Sequence, residues 1–165
     1  MRERGSIEQR TAAVRVAFDD TFAEKPVEVR PERIAWIALR IEGVPYAIAS
    51  RDTRGLVKLD RVVPIPSRAS ALRGVIGMRG AIVPVFDLGA VLGRRASGGM
   101  ELRWAVLEGR ESPIAFGFGT LEGVFQTDSS GTTVDGTRDV CHDGETVRAV
   151  IRLATIAQAT RSASS

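Results

Sequence analysis

From Arg33 onward the chain alternates apolar and polar positions with a period of two. Ile37, Leu39 and Ile41 alternate with Ala38 and Arg40, as in a half-buried strand. Gly43 interrupts, and Val44, Tyr46 and Ile48 then alternate again. The pattern predicts two strands joined by a tight turn at Glu42-Gly43. Leu59–Ile65 reads as another short strand, closed by Pro64 and Pro66. Gly74–Met78 and Ala81–Phe86 flank Arg79-Gly80 and predict a hairpin. Pro84 has no N–H for a ladder, so an edge or a bulge is expected for it. Asp87 is placed to cap a short helix through Leu92 that Gly93 ends.

Beyond Gly93, Arg94–Gly99 reads as a polar loop. Leu102–Leu107, Pro113–Phe118 and Leu121–Phe125 read as strands, with a turn over Glu108–Ser112. Gln126–Gly144 is rich in Ser, Thr, Asp and Gly and reads as loop. Thr146–Arg152 predicts a last strand and Leu153–Ala159 a short helix. Residues 160–165 form a C-terminal tail and 1–32 a charged N-terminal one. In the latter, Ile7, Val14, Phe18 and Phe22 fall near helical spacing, so either a short helix ending before Pro26 or a solvated tail fits. Eight or nine short strands with frequent turn signals predict an all-β, closed or nearly closed architecture.

Composition narrows the function classes. The 165 residues suffice for one compact domain, and 44% are apolar, enough to build a core. No apolar run approaches the roughly 20 residues that cross a bilayer, and no apolar segment follows the charged N-terminus as in a secretory signal. These features point to a cytoplasmic protein without membrane insertion. Cys141 is the single cysteine, which excludes an internal disulfide and a cysteine metal cluster. A net charge of +3 is spread along the chain, and nucleic-acid binding needs a concentrated basic stripe.

Catalytic chemistry finds little to work with. His142 is the single histidine and sits beside Cys141, but neighbours on an extended segment face opposite ways and form no dyad. A solvated turn is the plainer reading of that segment. One Cys and one His do not make a zinc site. Gly117–Gly123 imitates a dinucleotide loop with the wrong spacing, and no long helix follows it. Glycines at a hairpin explain it better. No catalytic residue, cofactor or metal site is expected.

One stretch is specific: Ala71-Leu72-Arg73-Gly74-Val75-Ile76-Gly77-Met78-Arg79-Gly80-Ala81-Ile82-Val83-Pro84-Val85-Phe86-Asp87-Leu88. It resembles the signature of CheW-like domains, approximately G-V-[IT]-N-L-R-G-x-[IV]-[IV]-P-[IV]-[IV]-D-L. Residues 33–159 follow that family's order of landmarks. The resemblance implies two intertwined five-stranded SH3-like β-barrels with short helices. It also implies a non-catalytic scaffold of bacterial chemosensory signalling, an adaptor between a methyl-accepting chemoreceptor and a CheA-like histidine kinase, in company with other CheW-like domains. Arg79, with Gly80 and Met78, would then lie at the receptor-facing region. A long cation on a glycine-flanked turn can pair bidentately with a partner carboxylate.

The sequence departs from the pattern twice. Gly77 replaces the usual asparagine before the Arg-Gly turn. The second departure is at the positions that help dock the kinase, where Ser50 and Thr53 stand for aliphatic residues and Gly55 for a glutamate, ahead of Leu56. The resemblance therefore implies an accessory adaptor with weakened kinase binding. The alternative reading is a small nucleic-acid-binding β-barrel, which would need exposed aromatics beside basic residues. Trp36, Tyr46, Phe86 and Trp104 sit in apolar strand patterns instead, which suits a core.

Overall fold

The computed structural model describes residues 32–94, 101–128, 132–135 and 138–163, with the backbone alone for 132–135 and 138. The candidate helix at 7–22 and most of the loop at 94–99 lie outside these residues. Two tight turns organise the strands before them. Glu42 and Gly43 both have positive φ (49° and 82°), as do Arg79 and Gly80 (50° and 80°). Positive φ at both central residues makes a type I′ turn, whose twist matches that of the strands it joins. The first links β1 (Arg33–Ile41) to β2 (Val44–Ala49), with Ile41 opposite Val44. The second links β4 (Leu72–Met78) to β5 (Ala81–Asp87), with Met78 opposite Ala81.

A 3-10 turn, Ser50–Asp52, leads from β2 to β3 (Gly55–Lys58). After β5 come α1 (Leu88–Val91), β6 (Trp104–Glu108), β7 (Ile114–Phe118) and β8 (Thr120–Asp128). The chain ends in β9 (Thr132–Asp135), β10 (Arg138–Asp143), β11 (Thr146–Val150) and α2 (Leu153–Ala163). The strands form two sheets, ordered β8-β1-β2-β11-β10-β9 and β3-β6-β7-β5-β4. The fold is thus all-β and intertwined: the described strands begin in the first sheet, build the second, and return to the first. β9 gives the first sheet a sixth strand at its edge.

Alternation along β1 divides the core. Ile37, Leu39 and Ile41 enter a central cluster with Tyr46, Ile48, Phe86, Phe116 and Leu153, which draws on both sheets. Trp36, on the other face of β1, joins Ala47, Ala49 and Cys141. The second sheet carries its own cluster of Val83, Val85, Ala105, Leu107 and Ala115. Its barrel closes through the β3–β4 connection: Leu59 donates to the carbonyl of Arg103, and Val63 bridges to Val75.

Several expectations need correction. Leu59–Ile65 is not a strand; it meets β4 at the single bridge of Val63, because Pro64 and Pro66 prevent a longer ladder. Pro84 lies on an interior strand, between β7 and β4. Val75, its partner, exchanges both backbone bonds with Val63 at 2.8 and 2.9 Å. The Val75–Pro84 pair is therefore a non-hydrogen-bonded one, and pairing with β7 starts only at Val85. No N–H is missed at Pro84. Within Gln126–Gly144, β8 extends to Asp128 and both β9 and β10 are strands; backbone pairing overrides the turn-rich composition. The glycines of 117–123 do not form a hairpin, since β7 and β8 belong to different sheets and the chain steps between them at Gly119. Asp87 does cap α1: its Oδ1 accepts from the N–H groups of Gly89 and Ala90.

Candidate interaction surfaces

The β4–β5 hairpin presents two different faces. Met78 is half-buried and packs inward on the second sheet's cluster with Ile76. Arg79 and Gly80 are exposed at the turn. The outward row on β5 is Ile82, Pro84 and Phe86. Phe86 is 5% exposed in the central core, whereas Ile82 is 77% exposed. Gly77, opposite Ile82, adds no side chain to cover it. Val63 and Ile65, on the neighbouring connection, are also exposed. The turn cation thus borders an uncovered apolar face. Sequence reasoning missed Ile82, Val63 and Ile65. Alternation gives Ile82 the same parity as the core residue Phe86, so the pattern alone does not separate the two.

The positions expected at a kinase contact cluster where β2 crosses to the second sheet. Ser50 is exposed at the start of the 3-10 turn. Arg51 lies 3.9 Å from Glu32 and 4.0 Å from Asp52, pairs too loose and exposed to contribute much. Thr53 turns inward: its Oγ1 accepts from the N–H of Gly55 at 3.1 Å. Leu56 packs on the central cluster opposite Val106. What reaches solvent here is Ser50, Arg51, Asp52 and Arg54, a polar surface.

Two further features stand apart from these positions. A groove of about 840 Å³ runs between the β1–β2 turn, the end of α1, β11 and α2, with Leu92, Ala149 and Ile156 among its lining. On its wall Arg94 donates through Nε to the Tyr46 hydroxyl at 3.0 Å and lies over that ring. In the first sheet, Arg148 is 5% exposed. Its guanidinium donates to Glu122 Oε2 at 2.6 Å and to Asp143 Oδ2 at 2.9 Å, and lies over the Phe125 ring. Arg40 holds the other Glu122 oxygen at 2.9 Å. The hydrogen bond from Arg148, aided by Arg40, holds the Glu122 carboxyl below its usual range against the opposing pull of burial. Burial disfavours charge on Arg148, yet its two carboxylates raise its pKa.

Cys141 and His142 form no dyad. Both lie on β10, which corrects the expected solvated turn, and they face opposite sides, the thiol buried and the imidazole exposed. Burial pushes the thiol up to about 11, far from a reactive thiolate. Among the described residues no group of three His, Cys, Asp or Glu side chains could hold a metal. Trp36, Tyr46 and Phe86 are buried and Trp104 half-buried, so none supplies the open stacking surface that the nucleic-acid alternative needs. No helix among the described residues is long and apolar enough to cross a membrane.

The profile of the CheW-like domain matches residues 36–157. The chain belongs to the CheW-like domain family. It is a scaffold or adaptor of chemotaxis signalling. Among solved structures it is similar to the scaffolding protein TtCheW from Thermoanaerobacter tengcongensis, with a TM-score of 0.66 and 16% identity. That likeness covers 78% of this chain and 90% of the other, and it establishes the shared CheW-like fold. No curated protein sequence matches the chain.

Proposed function

We propose that this CheW-like chain is a non-catalytic cytoplasmic adaptor that docks a methyl-accepting chemoreceptor at the β4–β5 hairpin and engages a CheA-like histidine kinase weakly. Arg79 and Gly80 are the receptor-contact residues in this reading, with Met78 anchoring the turn from below. One observation carries it: the family's turn arginine is exposed beside the uncovered side chain of Ile82. A cation next to an apolar face suits a partner that offers a carboxylate beside an apolar ridge. Other CheW-like domains are further partners by the same family reasoning.

The test is a binding titration with the cytoplasmic fragment of a chemoreceptor from the same organism. Arg79→Asn keeps a residue type that tolerates positive φ and removes the cation. Loss of a charge-assisted contact of about 1.5–3 kcal/mol weakens binding about tenfold to a hundredfold. Melting temperature stays within a few degrees. Unchanged affinity in a folded variant refutes the assignment of Arg79.

A further inference from the structure

We propose that an ion-pair latch, Arg148 between Glu122 and Asp143, holds the first sheet closed along the seam between β8 and β10, and that acid releases this seam while the second sheet stays folded. The geometry begins with strand order. β8 stands at one edge of the first sheet, and β11 is three places away from it. Nevertheless Glu122 of β8 and Arg148 of β11 are in direct contact, so the sheet curls until β8 comes up to β10. Among the described residues β8 is laddered to β1 alone. No backbone ladder to β10 or β11 joins the seam there. Side chains must do it.

The latch side chains differ in access to water. That of Arg148 is 6% exposed, while those of Glu122 and Asp143 are 25% and 34% exposed at the rim. The Glu122 carboxylate at the rim can take up a proton, whereas the guanidinium cannot lose one. Charged groups facing the latch are Arg40 from β1, Glu122 from β8, Asp143 from β10 and Arg148 from β11, with the neutral thiol of Cys141 beneath. At neutral pH these sum to zero charge. Protonating Glu122 removes the counter-charge that ties the buried Arg148 to β8. A buried guanidinium in that state must hydrate, and hydration requires the seam to part.

The sign follows from the carboxylate. The folded pKa of Glu122 lies below 4.5, so its contribution is complete above that pH and is lost as pH falls through the folded value. Trp36 reports the event. It is 3% exposed on β1, stacked on Phe125 of the laddered β8, and shares a buried cluster with Cys141 of β10 across the seam. Trp104→Phe removes the other tryptophan.

In that background Trp36 emission should red-shift on acidification from pH 7 to about pH 3 while the far-UV sheet signal persists, as in a sub-global opening. Coincident loss of both signals overturns the proposal, as does a Trp36 emission that never moves. The variant Glu122→Gln mimics the protonated latch and lacks the carboxylate that ties Arg148 to β8. Its emission should already be red-shifted at neutral pH and hold that value down to about pH 3, and a shift on acidification equal to the parent's overturns the idea. Hydrogen exchange on the unaltered chain covers the case in which that variant does not fold. After correction for intrinsic rates, peptides spanning 120–128 and 139–150 should exchange about tenfold or more faster near pH 3, with 104–118 unchanged. Equal changes in all three segments, or none, overturn the latch.

Discussion

Gly74 sits where no side chain can. A Cβ there would lie 2.1 Å from the carbonyl oxygen of Val63, and φ is +147°. That contact is the bridge that closes the second barrel, since Val63 and Val75 exchange both backbone bonds. Gly74→Ala should therefore push the 59–66 connection off β4 and cost about 2–4 kcal/mol, in the upper part of the single-substitution range. Chemical denaturation measures it; a loss under about 1 kcal/mol would show that the bridge moves aside freely. Gly77→Ala is the matched control, because a Cβ there meets nothing within 4 Å. The two glycines look alike in sequence, and both fall in the motif. Their difference was not legible there, because it depends on Val63, eleven positions before Gly74, folding back onto the strand. Arg148 was hidden for a similar reason. Alternation in Thr146–Val150 offers two mixed faces, and nothing local says that the arginine's face meets carboxylates from β8 and β10.

At the scale of elements, punctuation was more legible than polarity. Both Gly-ended turns and the cap at Asp87 could be read directly, since each depends on one or two residues in a fixed backbone shape. β9 and β10 could not, because their pairing with one another and with β11 is non-local and tolerates polar side chains. Asp87 shows how one residue couples elements. Its Oδ1 caps α1, its N–H donates to the carbonyl of Ala71, and its Oδ2 lies 3.5 Å from Arg73 on β4. Asp87→Ala removes the cap and the carboxylate oxygen 3.5 Å from Arg73. A loss of about 1–3 kcal/mol is expected, or several degrees in melting temperature. Asp87→Asn keeps an acceptor for the two N–H groups and should cost clearly less. If both substitutions cost the same, the charge of Asp87 outweighs its cap.

The scale of the whole molecule brings the two sheets and their partners together, and here the divergence at the 3-10 turn decides the outcome. The fold is that of the family, and under the proposed reading the β4–β5 hairpin faces the receptor. The expected kinase-facing positions have changed character. Ser50 is exposed, Thr53 spends its hydroxyl on the N–H of Gly55, and Leu56 is drawn into the central cluster. Two aliphatic anchors, each worth about 1.5–3 kcal/mol when fully buried at a contact, are absent. Their loss weakens a contact by about a hundredfold or more, at about tenfold per 1.4 kcal/mol. We therefore expect the purified chain to bind the regulatory domain of its organism's kinase with a Kd well above the low micromolar range, while the receptor fragment still binds. Isothermal titration of the two partners in parallel checks both halves. Low micromolar or tighter kinase binding defeats the expectation, because the kinase surface would then have adapted to a polar partner. A graft separates the alternatives further. Ser50→Ile with Thr53→Val restores the apolar anchors, although the valine forfeits the bond to Gly55. Gly55→Glu should follow separately, since a Cβ at 55 meets only Leu107 Cδ1 at 3.7 Å but φ there is +157°. Recovery of kinase affinity by the first pair of substitutions, with receptor affinity unchanged, would trace the defect to the missing anchors. No recovery in a folded variant would place the kinase determinant elsewhere on the molecule.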